Sequence, residues 1–538
     1  MLRWQAKRTT LETVESCAAS LEYAHATGAL PGPCVSVALF NTLADRSRSA
    51  LAGIDCFPHL TQRGAAVSGL TYFDKVWADH AIRTLEGSTD LLQVDRLILH
   101  ELGGSQVLHA MARAGRTPDS RAQVFTIIEH LIATRPGRGP TDSPSPSGFS
   151  MISTTRAEAQ RWQLNFIDYD DPRQGIAHVA APELGIALPG TTLVCCDSHT
   201  CTVGGIGAVA WGVGVSEAEH VLATQTLAQT RPATMRVSFN GKLGEGVYAK
   251  DMILALIARL GAAAGIGFAV EFAGDAVASL PVEARLTLCN MSIEFQAKYG
   301  FVPPDDVTFE YLAGRAWSPK GQAWDEAIAY WRALRTDDGA RFGREVSIDC
   351  ASIAPQLSWG TSPQHSVDIT AAVPDPAEAA DAEARDLATR ALAYMQLSPG
   401  TPLIGTPIDA VYIGSCTNAR LSDLREAARI LRGRRVKPGV QAVCVPGSTP
   451  VRQAAEAEGI DRVFREAGFE WHEAGCGYCG HLGDNRFADQ RVVSTTNRNF
   501  EGRQGPRTRT HLASPATVAA SAVSGAIADP RPLLASHR

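Results

Sequence analysis

Val411-Tyr-Ile-Gly-Ser-Cys-Thr-Asn418 runs from an apolar strand into a small polar loop that carries a cysteine. Farther along come Gly475-Cys-Gly-Tyr-Cys-Gly480 and Asn497-Arg-Asn-Phe-Glu-Gly-Arg503. The span 411–514 therefore holds three loop cysteines, Cys416, Cys476 and Cys479, and a polar segment with two arginines. In open α/β sheets, ligands bind in loops at the carboxyl ends of strands, where Cys416 sits. Thiolates are soft ligands that select iron–sulfur clusters, zinc or Cu(I). The stretch reads as an iron–sulfur site beside an anionic substrate. A redox C-x-x-C and a structural zinc are the plain alternatives. Zinc needs four ligands; His472, His481 and Cys444 are the nominees, and Cys444 lies inside an apolar strand. Three cysteines suit a four-iron cluster with one iron left open as a Lewis acid.

The 538-residue chain is long enough for three or four domains. Its hydrophobic content of 45% is ordinary for a globular protein, and its net charge of −6 argues against a dedicated nucleic-acid binder. Twelve cysteines are too sparse for a disulfide scaffold and fit a reducing cytoplasm. The N-terminus lacks the apolar core of a secretory signal, and the longest apolar stretch, 252–270, contains Arg259 and three glycines, so no membrane helix is expected.

Strands alternating with helices predict parallel sheets flanked by helices, an α/β fold. The expected division is a poorly patterned extension over 1–68, or an untranslated segment with Val67 as the start, then α/β units at 69–232, 233–345 and 346–538. Helices are expected over 71–85, 216–229 and 282–299. Strands are expected over 95–100, 122–128, 191–196 and 410–413, among others.

Other candidates close strands. Asp197-Ser198-His199 follows Thr-Thr-Leu-Val-Cys-Cys. An aspartate beside a histidine fixes its tautomer and raises its basicity; an Asp/Ser cap with an incidental histidine is the plain alternative. Glu129-His130 ends the 122–128 strand, and His178 lies in Gly-Ile-Ala-His-Val. A surface histidine and a core histidine are the respective alternatives. Asn290 and Glu294, four apart, share a helix face, functional or merely solvated. Arg498 and Arg503 have the forked geometry that holds carboxylates. Gly205-Ile-Gly207 partly matches a dinucleotide fingerprint. A polar loop separates it from its strand, however, and the strand 234–239 does not end in an acid.

From about Leu70 to Arg531 the sequence resembles the aconitase superfamily, and within it the large subunits of 3-isopropylmalate dehydratases. The resemblance rests on Cys196-Asp-Ser-His-Thr, Ser216-Glu-Ala-Glu-His-Val-Leu-Ala-Thr-Gln-Thr, Leu288-Cys-Asn-Met-Ser-Ile-Glu, Gly414-Ser-Cys-Thr-Asn and Ser494-Thr-Thr-Asn-Arg-Asn-Phe-Glu-Gly-Arg-Gln-Gly. It implies three aconitase-like α/β/α domains around a central cleft. It also implies one [4Fe-4S] cluster on Cys416, Cys476 and Cys479, with one iron free of cysteine. By the same resemblance, His130, His178, Asp197, His199 and Glu294 are catalytic. Ser198, Asn290, Arg498 and Arg503 contact the substrate, while Glu129, Asn418 and Asn497 support these groups. The family usually has Asp where this chain has Glu129. His100-Glu101 fits the family as well, with no role assigned.

The implied reaction is reversible loss and re-addition of water on a hydroxy di- or tricarboxylate: 2-isopropylmalate to 3-isopropylmalate in leucine synthesis, or the same chemistry on homoaconitate, citraconate/2-methylmalate or dimethylmaleate. Single-chain aconitases carry a further swivelling domain, which is not found before Arg538. The resemblance therefore implies a heterodimer with a separate small subunit. A zinc-stapled binding protein and an RNA binder stand as readings from other classes, the second disfavoured by the acidic balance.

Overall fold

Three parallel sheets organise the computed structural model, which describes residues 69–535. The expectations for 1–68 lie outside the described residues. The first sheet has five strands in the order Asn165–Ile167, Val124–Ile127, Arg96–His100, Thr192–Cys195, Val209–Gly212. The second has four: Tyr299–Phe301, Phe268–Ala273, Ala233–Asn240, Arg344–Asp349. The third again has five: Glu470–Trp471, Gln441–Cys444, Ala410–Ile413, Arg491–Ser494, Arg509–Leu512. Several central strands, such as Val124–Ile127, Thr192–Cys195 and Ala410–Ile413, are buried throughout, as sheets covered on both faces require. The strand Arg344–Asp349 carries the second sheet past the expected division at 345/346.

In the first and third sheets the strand order reverses at a central strand. The crevices there, at the carboxyl ends, are where an open α/β sheet binds ligands. In the first sheet they receive Glu129-His130 after Val124–Ile127 and Asp197 after Thr192–Cys195. In the third they receive Cys416 after Ala410–Ile413 and Asn497 after Arg491–Ser494.

Three expected helices are shorter than their apolar patterns. The first covers only Tyr72–His80, and Ala81–Glu86 is a strand paired with Thr89–Gln93 around Gly87. The second covers Val215–Thr224; Gln225 turns with a φ of 54°, and Thr226–Thr230 joins the same small antiparallel sheet. The third, Val282–Asn290, passes into a 3-10 turn, Met291–Phe295, and then the strand Tyr299–Phe301. In each case strand pairing overrides the local helical period, with the neighbouring strand of a hairpin in the first and with distant segments in the other two. Among the described residues, no helix is long and apolar enough to cross a membrane.

Gly205 of the partial dinucleotide fingerprint, and Gly204 just before it, serve packing. A Cβ on Gly204 would lie 1.9 Å from the Gly300 carbonyl oxygen, and one on Gly205 would lie 2.5 Å from the Leu286 nitrogen. The 3-10 segment Ser198–Ile206 thereby lies directly against the backbone of Val282–Asn290.

Candidate active site and metal centre

Cys416, Cys476 and Cys479 are free thiols, each 5% exposed. Ser415, just before Cys416, takes a left-handed φ of 86°, a strained conformation for a residue with a side chain. The turn is held by neighbours. Arg420, itself buried, donates to the carbonyls of Cys416 and Thr417, both at 2.9 Å. Tyr412 Oη donates to the Cys476 carbonyl at 3.0 Å.

Polar N–H groups converge on the sulfurs. Asn290 Nδ2 donates to Cys416 Sγ at 3.1 Å, Asn497 Nδ2 to the same sulfur at 3.5 Å, and Arg503 Nη2 to Cys479 Sγ at 3.5 Å. A hydrogen bond from Cys476 holds Cys479 well below the ordinary thiol range, with Arg503 adding to the effect. Burial pushes Cys416 up to about 12. N–H donors aimed at sulfur suit thiolates rather than neutral thiols.

The residues fit an iron–sulfur group on two grounds. First, the donor set is three thiols in loops, with no histidine among them. His472 is engaged elsewhere, with Thr134 at 3.2 Å and Glu470 at 3.2 Å. Cys444 is buried in its strand, and His481 bonds Asn485 at 2.9 Å. Second, several buried polar atoms around the site have no partner in the chain: Glu129 Oε2, His178 Nδ1, Asn497 Oδ1 and Arg503 Nε. Buried polar groups are normally paired, so such a cluster of orphans marks a place where something else binds.

The acid–base groups form two sets. In one, Asp197 lies between two imidazoles, with Oδ1 3.1 Å from His178 Nε2 and 3.6 Å from His199 Nδ1. The same carboxylate accepts the His199 amide at 2.7 Å, so the capping role and the imidazole-orienting role coexist. His199 Nε2 meets Glu294 Oε1 at 2.7 Å, and Arg498 Nε meets the same oxygen at 2.9 Å. Burial works to raise Asp197, but the imidazoles hold it well below the carboxylate range. Burial likewise opposes ionisation of Glu294, and His199 and Arg498 hold it down. Ser198 is exposed, with Oγ 3.4 Å from His199 Nδ1.

In the other set, His130 Nδ1 lies 3.4 Å from Glu129 Oε1. Burial works to lower His130, yet Glu129 lifts it to about 9. The His100 ring stacks on His130 with centroids 4.7 Å apart. The Leu102 amide donates to His100 Nδ1, leaving the proton on Nε2. Glu101, which had no assigned role, accepts the amides of Glu129 at 2.9 Å, Leu131 at 2.5 Å and Ile132 at 3.2 Å. It clamps the loop that presents the Glu129–His130 pair. A cavity of about 540 Å³ opens beside His130, lined also by Arg135, Arg138, Gly477, Tyr478 and Gly480.

The structure thus brings His178, Asp197, His199, Glu294 and Arg498 into one chain of contacts. Asn290, Asn497 and Arg503 join the cysteines. Asn290 and Glu294 are parted by the helix ending: the first faces Cys416, the second His199. Asn418 Nδ2 donates to Asp423 at 2.9 Å and Thr287 at 3.3 Å, and its buried Oδ1 has no partner in the chain. The sequence reading missed the Glu101 clamp and the buried Arg420. Only the polarity of Arg420, so close after Cys416, signalled it.

Residues 74–525 match the aconitase family (aconitate hydratase). The chain is 52% identical to 3-isopropylmalate dehydratase large subunit 1 of Bradyrhizobium diazoefficiens over 464 residues, 86% of this chain and 97% of that protein. It is 48% identical to the 3-isopropylmalate dehydratase large subunit of Roseiflexus castenholzii over 475 residues, 86% and 98% respectively. With the thiols, imidazoles and arginines gathered in one cleft, these matches make the chain a member of the aconitase family, on the branch of the 3-isopropylmalate dehydratase large subunits.

Proposed function

We propose that this chain is the large subunit of a hydro-lyase that interconverts 2-isopropylmalate and 3-isopropylmalate by loss and re-addition of water, a step of leucine synthesis. Family membership implies an iron–sulfur cofactor. In our reading it is one [4Fe-4S] cluster on Cys416, Cys476 and Cys479, with one iron free of cysteine. When bound, such a group supplies a Lewis acid that polarises the substrate hydroxyl.

The chain's own residues have defined tasks. Hydroxide is a poor leaving group and departs as water when an acid protonates it. His130, held protonated by Glu129, is placed for that donation. Asp197 fixes the orientation of His178 and His199. Glu294 receives His199 Nε2 and can pass a proton to and from the hydroxyl position. Arg498 and Arg503 hold the two carboxylates, and Ser198 lies within the same reach. Asn290 and Asn497 steady Cys416. The carbon-bound proton is left to a base on the small subunit, which completes the site as a heterodimer in a reducing cytoplasm. We read the chain as three α/β units, as divided above, with the second boundary set after the strand Arg344–Asp349.

The observation that carries this reading is the unbroken chain Asp197–His199–Glu294–Arg498 beside three buried free thiols. The test is anaerobic co-purification with a small-subunit partner, followed by assays on 2-isopropylmalate, homocitrate, 2-methylmalate and dimethylmalate. Fastest turnover of 2-isopropylmalate is expected, with iron and acid-labile sulfide in the protein. Zinc without iron, or preference for another acid, overturns the assignment.

A further inference from the structure

Lys250 is a buried cation in an unfavourable place. It is 0% exposed, and it stands in the first turn of the helix Ala249–Leu260. The N-terminal end of a helix is positive and disfavours a cation. Among the described residues Lys250 forms no ion pair; its Nζ donates instead to two backbone carbonyls, Thr495 at 2.9 Å and Thr496 at 2.5 Å. Burial pushes its ammonium down to about 7. Asp423, Cys416, Asp251 and Cys479 pull the other way across longer distances. A buried charge without a close counter-charge is costly.

The two carbonyls belong to a junction. Thr495 Oγ1 donates to the Gly414 carbonyl at 2.9 Å, and the Gly414 amide donates back to Thr495 Oγ1 at 2.9 Å. The next residues are Asn497, whose amide reaches Cys416 Sγ, and Arg498, whose guanidinium reaches Glu294. One ammonium from the second unit thus anchors the backbone from which both side chains of the third unit are aimed.

We propose that Lys250 is a positioning residue: it fixes the Thr495–Thr496 backbone, and so aims Asn497 and Arg498, and its charge is matched when the sulfurs of Cys416 and Cys479 carry the cluster. This rests on the cluster reading given above. It makes substrate-carboxylate binding depend on a residue that touches neither substrate nor cysteine. It also makes the cluster a source of stability through Lys250.

The test compares wild type, Lys250→Met and Lys250→Arg as full-length chains, each melted without and with an anaerobically loaded cluster. Each is also assayed in the complex with the small subunit. Without cluster, Lys250→Met loses an unmatched buried charge but also the hydrogen bonds to the Thr495 and Thr496 carbonyls, so its melting temperature serves only as the baseline for the gain on loading. On loading, it is expected to gain clearly less in Tm than wild type. In the complex its KM should rise about tenfold with a smaller change in kcat, the pattern of lost uniform binding. Lys250→Arg should recover most of the Tm gain. An equal cluster-dependent Tm gain in Lys250→Met, with KM unchanged, overturns the inference alone. A wild-type chain that takes up no iron or sulfide overturns the cluster reading, and this inference with it.

Discussion

His199 Nε2 lies 2.7 Å from Glu294 Oε1, and that bond joins the end of a first-sheet strand to the 3-10 turn that follows a second-unit helix. The same carboxylate oxygen takes Arg498 from the third sheet. Glu294 is therefore where three separate parts of the chain meet.

Glu294→Gln keeps the size of the side chain and removes the charge shared by His199 and Arg498. We expect kcat/KM to fall by about a hundredfold or more, the scale of a lost acid–base group, with iron content unchanged. Steady-state kinetics beside iron and sulfide analysis checks this.

His130 is lifted to about 9 because Glu129 overcomes the lowering effect of burial. Its ordinary value is about 6.5. A raised histidine stabilises the fold fully below its unfolded value, and that contribution is lost as pH rises through about 9. The proton donor disappears over the same range, so kcat/KM should decline above about pH 9. Glu129→Gln removes the lifting charge, and the alkaline limb should move toward neutrality. A limb unmoved in that variant would assign it to another group.

On the cluster reading proposed above, air and chelators should remove activity by taking the iron that no cysteine holds. Ferrous iron with thiol under anaerobic conditions should restore it. Cys479→Ser should not recover, because one of the three anchors is gone. Activity indifferent to oxygen and chelator counts against a catalytic cluster.

Gly205→Ala places a methyl group 2.5 Å from the Leu286 backbone nitrogen. Backbone cannot rotate away as a side chain can, so overpacking of about 1–3 kcal/mol is expected. The midpoint of denaturant unfolding should fall accordingly. An unchanged midpoint would mean that the contact between Ser198–Ile206 and Val282–Asn290 has room to relax.

The alternation of apolar strands and helices was legible, and so were the strand ends that carry Glu129, Asp197 and Cys416. Their loops follow short β-branched or apolar runs whose period and length are local properties. Three helix ends were not legible: Ala81–Glu86 leaves the helical period to form a hairpin with Thr89–Gln93, while Thr226–Thr230 and Tyr299–Phe301 are strands because remote partners pair with them. The site residues were nameable from motifs, but their grouping was not. The shared face assumed for Asn290 and Glu294 dissolves in the 3-10 turn, which sends one to Cys416 and the other to His199. Asn418 was expected to support the thiols, and its Nδ2 goes to Asp423 and Thr287, partners the sequence did not mark. Glu101 could not be read at all, because its partners are backbone amides, which leave no mark on a sequence.

The cleft takes His130 from one end of the chain and Arg503 from near the other, and this sets a schedule for the cell. At about 5–20 residues per second, roughly 20–75 s of synthesis separate those two side chains. Cys476 and Cys479 are made only after the whole of the first sheet. On the cluster reading proposed above, the metal can be seated only after Cys479 is made, so a ribosome stalled before the last sheet would leave a chain without a complete set of ligands.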